Sequence, residues 1–112
     1  MTVYVKNLVA PKTVEDSQTT QYTANGVTTI IDKFTATNYS AAAATISVNL
    51  VTTGGAAGNQ NLITKTKTIQ PSEVYTFPEL VGQVLNAGDF ISTLAGTASA
   101  INIRVSGREV TV

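Results

Sequence analysis

Apolar and polar residues alternate one for one in two stretches of this chain. Ala44, Ile46, Val48 and Leu50 alternate with Thr45, Ser47 and Asn49, and Ile101, Ile103 and Val105 alternate with Asn102, Arg104 and Ser106. A period of two puts the two sets on opposite faces of an extended strand, one for a core and one for solvent. A helix would scatter the same residues around its circumference. The residue types agree with the period. Threonine, valine and isoleucine supply 40 of the 112 residues, and these β-branched side chains are stiff at χ1 and sit well on a pleated surface. With 43% hydrophobic residues the chain can bury a core. Its length is that of one domain, so residues 1–112 are read as a single unit.

The rest of the sequence repeats this pattern between turn signals. Residues 20–24 and 27–37 flank Asn25-Gly26, a strong signal for a two-residue hairpin. In the second arm Asp32 falls on the face of Ile30, Phe34 and Ala36, so either it is paired or a bulge near Ile31 shifts the register. Residues 62–69 read as a strand with Lys65 and Lys67 on one face, which suits an edge. Gln70-Pro71-Ser72-Glu73 reads as a turn. Short strands follow over 74–77 and 90–95, with another over 109–112 after a turn at Ser106-Gly107. Residues 54–61 read as a flexible loop. One segment departs from period two. Leu80, Val81, Val84 and Leu85 fall at helical spacing behind Pro78 and Glu79, which predicts one short helical segment near residues 78–86. Seven or eight short strands predict an all-β fold: an antiparallel β-sandwich, jelly-roll or immunoglobulin-like.

Chemistry-bearing residues are scarce. There is no histidine and no cysteine, which removes the usual general base, the commonest metal ligand, thiolate nucleophiles and disulfides. The seven acids form no calcium-loop pattern, and Asp89 after Gly88 reads as a turn former. No catalytic residue, metal or cofactor is expected. Seven basic residues balance seven acidic ones, and the basic residues are scattered, so neither nucleic acid nor a membrane surface is an expected partner. The longest apolar run, residues 41–51, is too short to span a bilayer, and residues 1–6 do not read as a secretion signal. Residues 34–64 carry no formal charge at all. A surface so poor in charge is weakly protected against association, which points to a protein partner.

Several blocks are similar in strand and turn pattern to a known group of proteins. Phe34-Thr35-Ala36-Thr37-Asn38-Tyr39-Ser40 leads into Thr45-Ile46-Ser47-Val48-Asn49-Leu50-Val51, followed by Ile69-Gln70-Pro71-Ser72-Glu73-Val74-Tyr75 and Glu79-Leu80-Val81-Gly82. The series ends with Gly88-Asp89-Phe90-Ile91-Ser92 and Arg104-Val105-Ser106-Gly107-Arg108-Glu109. Over residues 20–112 it resembles the small all-β structural proteins of tailed bacteriophages, capsid cement (decoration) proteins among them. The resemblance implies a non-enzymatic virion component on the capsid exterior, made in the host cytoplasm. It would staple capsid subunits by non-covalent contacts with the major capsid protein and with copies of itself, as a homo-oligomer. It transfers no defined site. A head–tail connector, tail or fibre component is one alternative, and a receptor- or glycan-binding sandwich is another.

Three candidate interaction surfaces follow from the residues. Thr2, Val3, Tyr4, Val5 and Lys6 alternate ahead of Pro11-Lys12, and residues 1–12 read as a docking arm or an edge strand. As an arm, residues 2–10 would be removable without unfolding the domain. Gly54, Gly55, Asn59 and Gln60 form a polar loop tip that contact with a partner would order. Lys65 and Lys67, near Tyr75, form the best basic patch.

Overall fold

Among the described residues, nine strands pair as one long antiparallel hairpin rolled onto itself. The computed structural model describes residues 1–111; Val112, read above as the end of the last strand and of the domain, lies outside them. The strands are β1 (Thr2–Thr13), β2 (Thr19–Thr23), β3 (Thr28–Asn38), β4 (Ala44–Val51), β5 (Leu62–Ile69), β6 (Val74–Tyr75), β7 (Val84–Leu85), β8 (Phe90–Ala95) and β9 (Ile101–Thr111). From the tip inward, β4 pairs with β5, β3 with β6, β2 with β8, and β1 with β9. Rolling this hairpin gives one sheet ordered β1-β9-β3-β6, with β7 also on β3, and a second ordered β2-β8-β4-β5. That alternation of strands between two antiparallel sheets is the order of a jelly roll. The all-β sandwich expected from the alternation is therefore the fold. The strand order selects the jelly-roll form over the immunoglobulin-like one.

The period-two pattern explains the core. Ala44, Ile46 and Val48 of β4 and Ile101, Ile103 and Val105 of β9 are buried, while Thr45, Ser47, Asn102 and Arg104 between them are not. Phe34 and Phe77 lie at the centre with ring centroids 4.6 Å apart, and Tyr75 meets Phe77 edge-on at the same distance. Ile31, Ile69, Leu80 and Ile91 complete the apolar layer between the sheets.

Three sequence expectations are corrected, and a fourth, for Asp32, is resolved. Asn25-Gly26 is not a hairpin turn, because β2 pairs with β8 and β3 with β9, so the turn carries the chain from one sheet to the other. Gly107 is no turn either; it lies inside an unbroken β9. The register of β3 shifts between Ile31 and Lys33, which turns Asp32 out of the core face, and Asp32 is also paired with Arg108. Both of the alternatives posed for Asp32 hold. Residues 78–86 form no helix. Gly82 stands at φ 85°, which a helix cannot contain, and its N–H donates to the Ile31 carbonyl at 2.7 Å. The Ile31 N–H donates in turn to Gln83. The open side of β3 captures this backbone, and sheet pairing overrides the local helical spacing. Among the described residues the only helical turn is a 3-10 turn at Asn59–Asn61.

Candidate docking surface

β1 is an edge strand, not a detached arm. It pairs with β9 and leaves its other side open. Its first six residues pair one to one, from Thr2 opposite Thr111 to Asn7 opposite Ser106, and the register shifts only beyond Asn7. Residues 1–7 are exposed, whereas Leu8 and Val9 enter the core at 8% and 4% exposure. Removing residues 2–10 would therefore open the core, contrary to the arm reading. Pro11 sits within β1 where the register shifts, a place where a missing N–H is tolerated.

The two faces of this edge differ. Val3 and Val5 point to the outer face of the sheet, 49% and 87% exposed. Cross-strand neighbours extend this face through Val110 and Arg108 of β9 to Ile30 of β3 and Val84 of β7, itself 53% exposed. Arg108 is held there by Asp32, with Nε and Nη2 donating at 3.0 and 2.9 Å. Tyr4 and Lys6 lie on the inward face. Lys6 Nζ stands 3.2 Å from Glu109, whose other carboxylate oxygen accepts from the Tyr22 hydroxyl. Tyr22 also contacts the Thr29 hydroxyl at 2.7 Å. Its hydrogen bond holds the Glu109 carboxyl below the usual range, with Lys6 adding to the effect. Burial, helped by Glu109, pushes the Tyr22 phenol up to about 12. This network ties β1, β9, β3 and β2 together.

The other edges are interrupted. The far side of β3 carries only the two-residue strands β6 and β7. β2 has five residues and a register shift between Thr20 and Tyr22. β5 carries Lys65 and Lys67, with Thr66 between them at φ 52° and register shifts against β4. The kink separates the two lysines, which were expected on one face. Lys67 Nζ lies 4.6 Å from the Tyr75 ring centroid, across the opening between the sheets. Lys65 instead lines a hollow on the outer face of the second sheet. Tyr75 and Thr64 both donate to Glu79, closing that side of the sandwich. Burial alone would raise the Glu79 carboxyl, but these hydroxyls hold it below the usual range.

The loop at 54–61 folds over this hollow, a space of about 200 Å³ lined by Gln18, Asn49, Asn59, Leu62, Lys65 and Leu94, with Ala57 and Gly58. The loop is not the free segment its glycines predict. Asn49 Nδ2 donates to the Gly58 carbonyl and to Asn61 Oδ1, and Asn61 donates back to Ala56. Its start is fixed by Asp89, which accepts from the Thr53 and Asn86 N–H groups, the turn-forming role expected of it. The structure thus brings Asn59 and Lys65 together, with Gly54, Gly55 and Gln60 on the same loop. Thr2, Val3, Tyr4, Val5 and Lys6 lie on the β1/β2 side of the sandwich, away from Lys67 on the β5/β6 side.

Sequence reasoning missed the apolar strip that continues from Val3 and Val5 through Val110, Ile30 and Val84. Val110 is readable as the end of an alternating strand only once Gly107 is known to lie within it. Val84 falls within the stretch whose spacing predicts a helix. The chain matches no known protein family and no curated protein. Among the described residues no three His, Cys, Asp or Glu side chains are grouped to hold a metal ion, and no helix is long and apolar enough to cross a membrane.

Proposed function

We propose that this chain is a non-enzymatic structural protein that binds a repeating protein lattice, as the cement proteins of tailed-phage capsids do. The observation that carries the reading is the open β1 edge. Along six residues in regular register, every second residue presents its unpaired backbone N–H and C=O outward, beside two exposed valines. Such an edge is a template for a strand from a neighbouring protein: the backbone supplies affinity and the alternate side chains supply selectivity. The low charge of the surface lowers the desolvation cost of contact, and many copies on one lattice gain strength through multivalency. The major capsid protein and copies of this chain are the proposed partners.

The test is a particle-binding assay with purified capsids of the chain's source. The double variant Val3→Lys, Val5→Lys alters only exposed positions and places two charges on the edge. Loss of binding with an unchanged melting temperature is the expected result. Wild-type-like binding by the folded variant removes the edge from the reading. Image reconstruction then separates lattice-wide copies, as expected of a cement protein, from a few axial copies, which would make it a tail or connector part. The hollow under the 54–61 loop, lined by both polar and apolar side chains, supports a second reading, a glycan-binding module. Sugar binding lost in Asn59→Ala and Lys65→Ala would favour it.

A further inference from the structure

We infer that the partner of the β1 edge is the β1 edge of a second copy, paired antiparallel about a two-fold axis at Tyr4. The inference rests on the reading of that edge as a docking strand. A symmetric pair requires the edge to complement itself. Antiparallel pairing about Tyr4 sets Val3 opposite Val5 of the second copy, Thr2 opposite its Lys6, and Tyr4 opposite its Tyr4. Each residue then meets one on the same face of the joined sheet, as side-chain alternation demands. A register one residue away would set outward valines against inward polar residues.

Side-chain chemistry favours this register. Cross-strand apolar pairs and aromatic pairs stabilise a sheet, and like charges opposite one another destabilise it. Val5, left 87% exposed in a single copy, comes to lie beside Val3 of the other, which Val110 flanks on β9. Lys6 faces a threonine instead of the second Lys6, and its charge is already met by Glu109 at 3.2 Å. Two copies with no net charge do not repel. Among the described residues no other edge offers an unbroken run of this length, since the rest are short or kinked. A seam of five residues is small beside the ~1,200 Å² of a stable interface, so the pair is weak in solution and reinforced where a lattice holds copies side by side.

The absence of cysteine from the sequence makes the test clean. Tyr4→Cys is incubated alone, and Val3→Cys is mixed with Val5→Cys, both in a glutathione buffer, with Lys65→Cys as a collision control. Whichever pair is the closer in the ladder should cross-link at least about tenfold faster than the control, because pairing raises the local thiol concentration. The linked protein should keep the wild-type circular dichroism. Cross-linking of both no faster than the control overturns the inference. Faster linkage of Val5→Cys with itself than with Val3→Cys overturns the register. Capsid binding lost in Val3→Lys, Val5→Lys while the cysteine variants behave as the control would assign the edge to a foreign strand, overturning the inference and sparing the docking reading.

Discussion

Replacing Gly107 with alanine measures how closely β9 runs against its neighbours beside the β1 edge. A Cβ at this position would lie 2.2 Å from the Ile30 carbonyl oxygen and 2.7 Å from Leu8 Cδ1. The Leu8 methyl can swing away, but the carbonyl belongs to the backbone of β3. β9 is hydrogen-bonded to β1 on one side and β3 on the other, so separating the strands by the ångström required disturbs both ladders. Overpacking costs roughly 1–3 kcal/mol where side chains can adjust, and a backbone clash belongs at about 3. Alanine also restricts the unfolded chain, which returns about 0.4–1 kcal/mol. The net expectation is a destabilisation of about 2 kcal/mol. With a urea m-value near ~2 kcal/mol/M the midpoint falls by about 1 M, and the melting temperature drops by about 8 °C. Gly96→Ala is the control. Its Cβ would approach Thr45 Oγ1 at 2.4 Å, but a hydroxyl can rotate, so the cost should stay below about 1 kcal/mol. If Gly107→Ala unfolds within about 0.5 kcal/mol of the wild type, the argument that β3 cannot yield is wrong.

Three further outcomes follow from the geometry. Glu109 is held below the usual carboxylate range, so its stabilising effect is present above that range and lost as pH falls through the lowered value. Tyr22, pushed up to about 12, contributes below its ordinary titration near ~10 and loses that contribution as pH rises toward 12. Glu109→Gln should flatten the acid arm of a stability–pH curve measured by urea unfolding, and an unchanged acid arm refutes the role of the Tyr22–Glu109–Lys6 network. Phe77→Ala removes the ring between Phe34 and Tyr75 and should cost about 3–5 kcal/mol by the same assay. Asn49→Ala leaves Gly58 and Asn61 without their donor; a loss of about 1–3 kcal/mol and faster amide exchange at 58–61 are expected, and unchanged exchange would mean the loop holds itself.

Alternation made the sandwich legible because burial on one face of a strand needs only a local pattern. Ala44, Ile46 and Val48 of β4 are predicted this way, and so is the first part of β9, but Asn49 is buried and Leu50 only partly so. What failed were statements about which strand meets which. Asn25-Gly26 signals a tight turn, and the turn is there, but its two arms belong to different sheets because β8 and β9 outcompete the local pairing. Residues 78–86 have helical spacing, yet β3 offers backbone partners at Ile31 that a helix would leave unused. Gly107 looks like a turn residue and is instead the one residue thin enough for a close strand contact. The β1 edge was half legible. Val3 and Val5 announce a strand, but only the register with β9 shows that Val110 and Arg108 continue their face.

The way the edges are protected bears on what the protein does. An isolated sandwich exposes four sheet edges, and each invites pairing with another chain. Here one edge is reduced to two-residue strands, one is short, and one carries two lysines around a kinked Thr66. β1 alone runs six residues in regular register, with a strongly exposed valine in the middle of that run. Lysine at Val5 would guard this edge at no cost to the core, since the side chain is 87% exposed and touches no buried layer. The same device is already in use on β5. With the other edges blunted and the longest one bearing an apolar residue where a charge would serve, the pattern of edge protection supports the docking proposed for β1. If Val5→Lys leaves stability, assembly state and particle binding all unchanged, the exposed valine is incidental and the argument from edge protection fails.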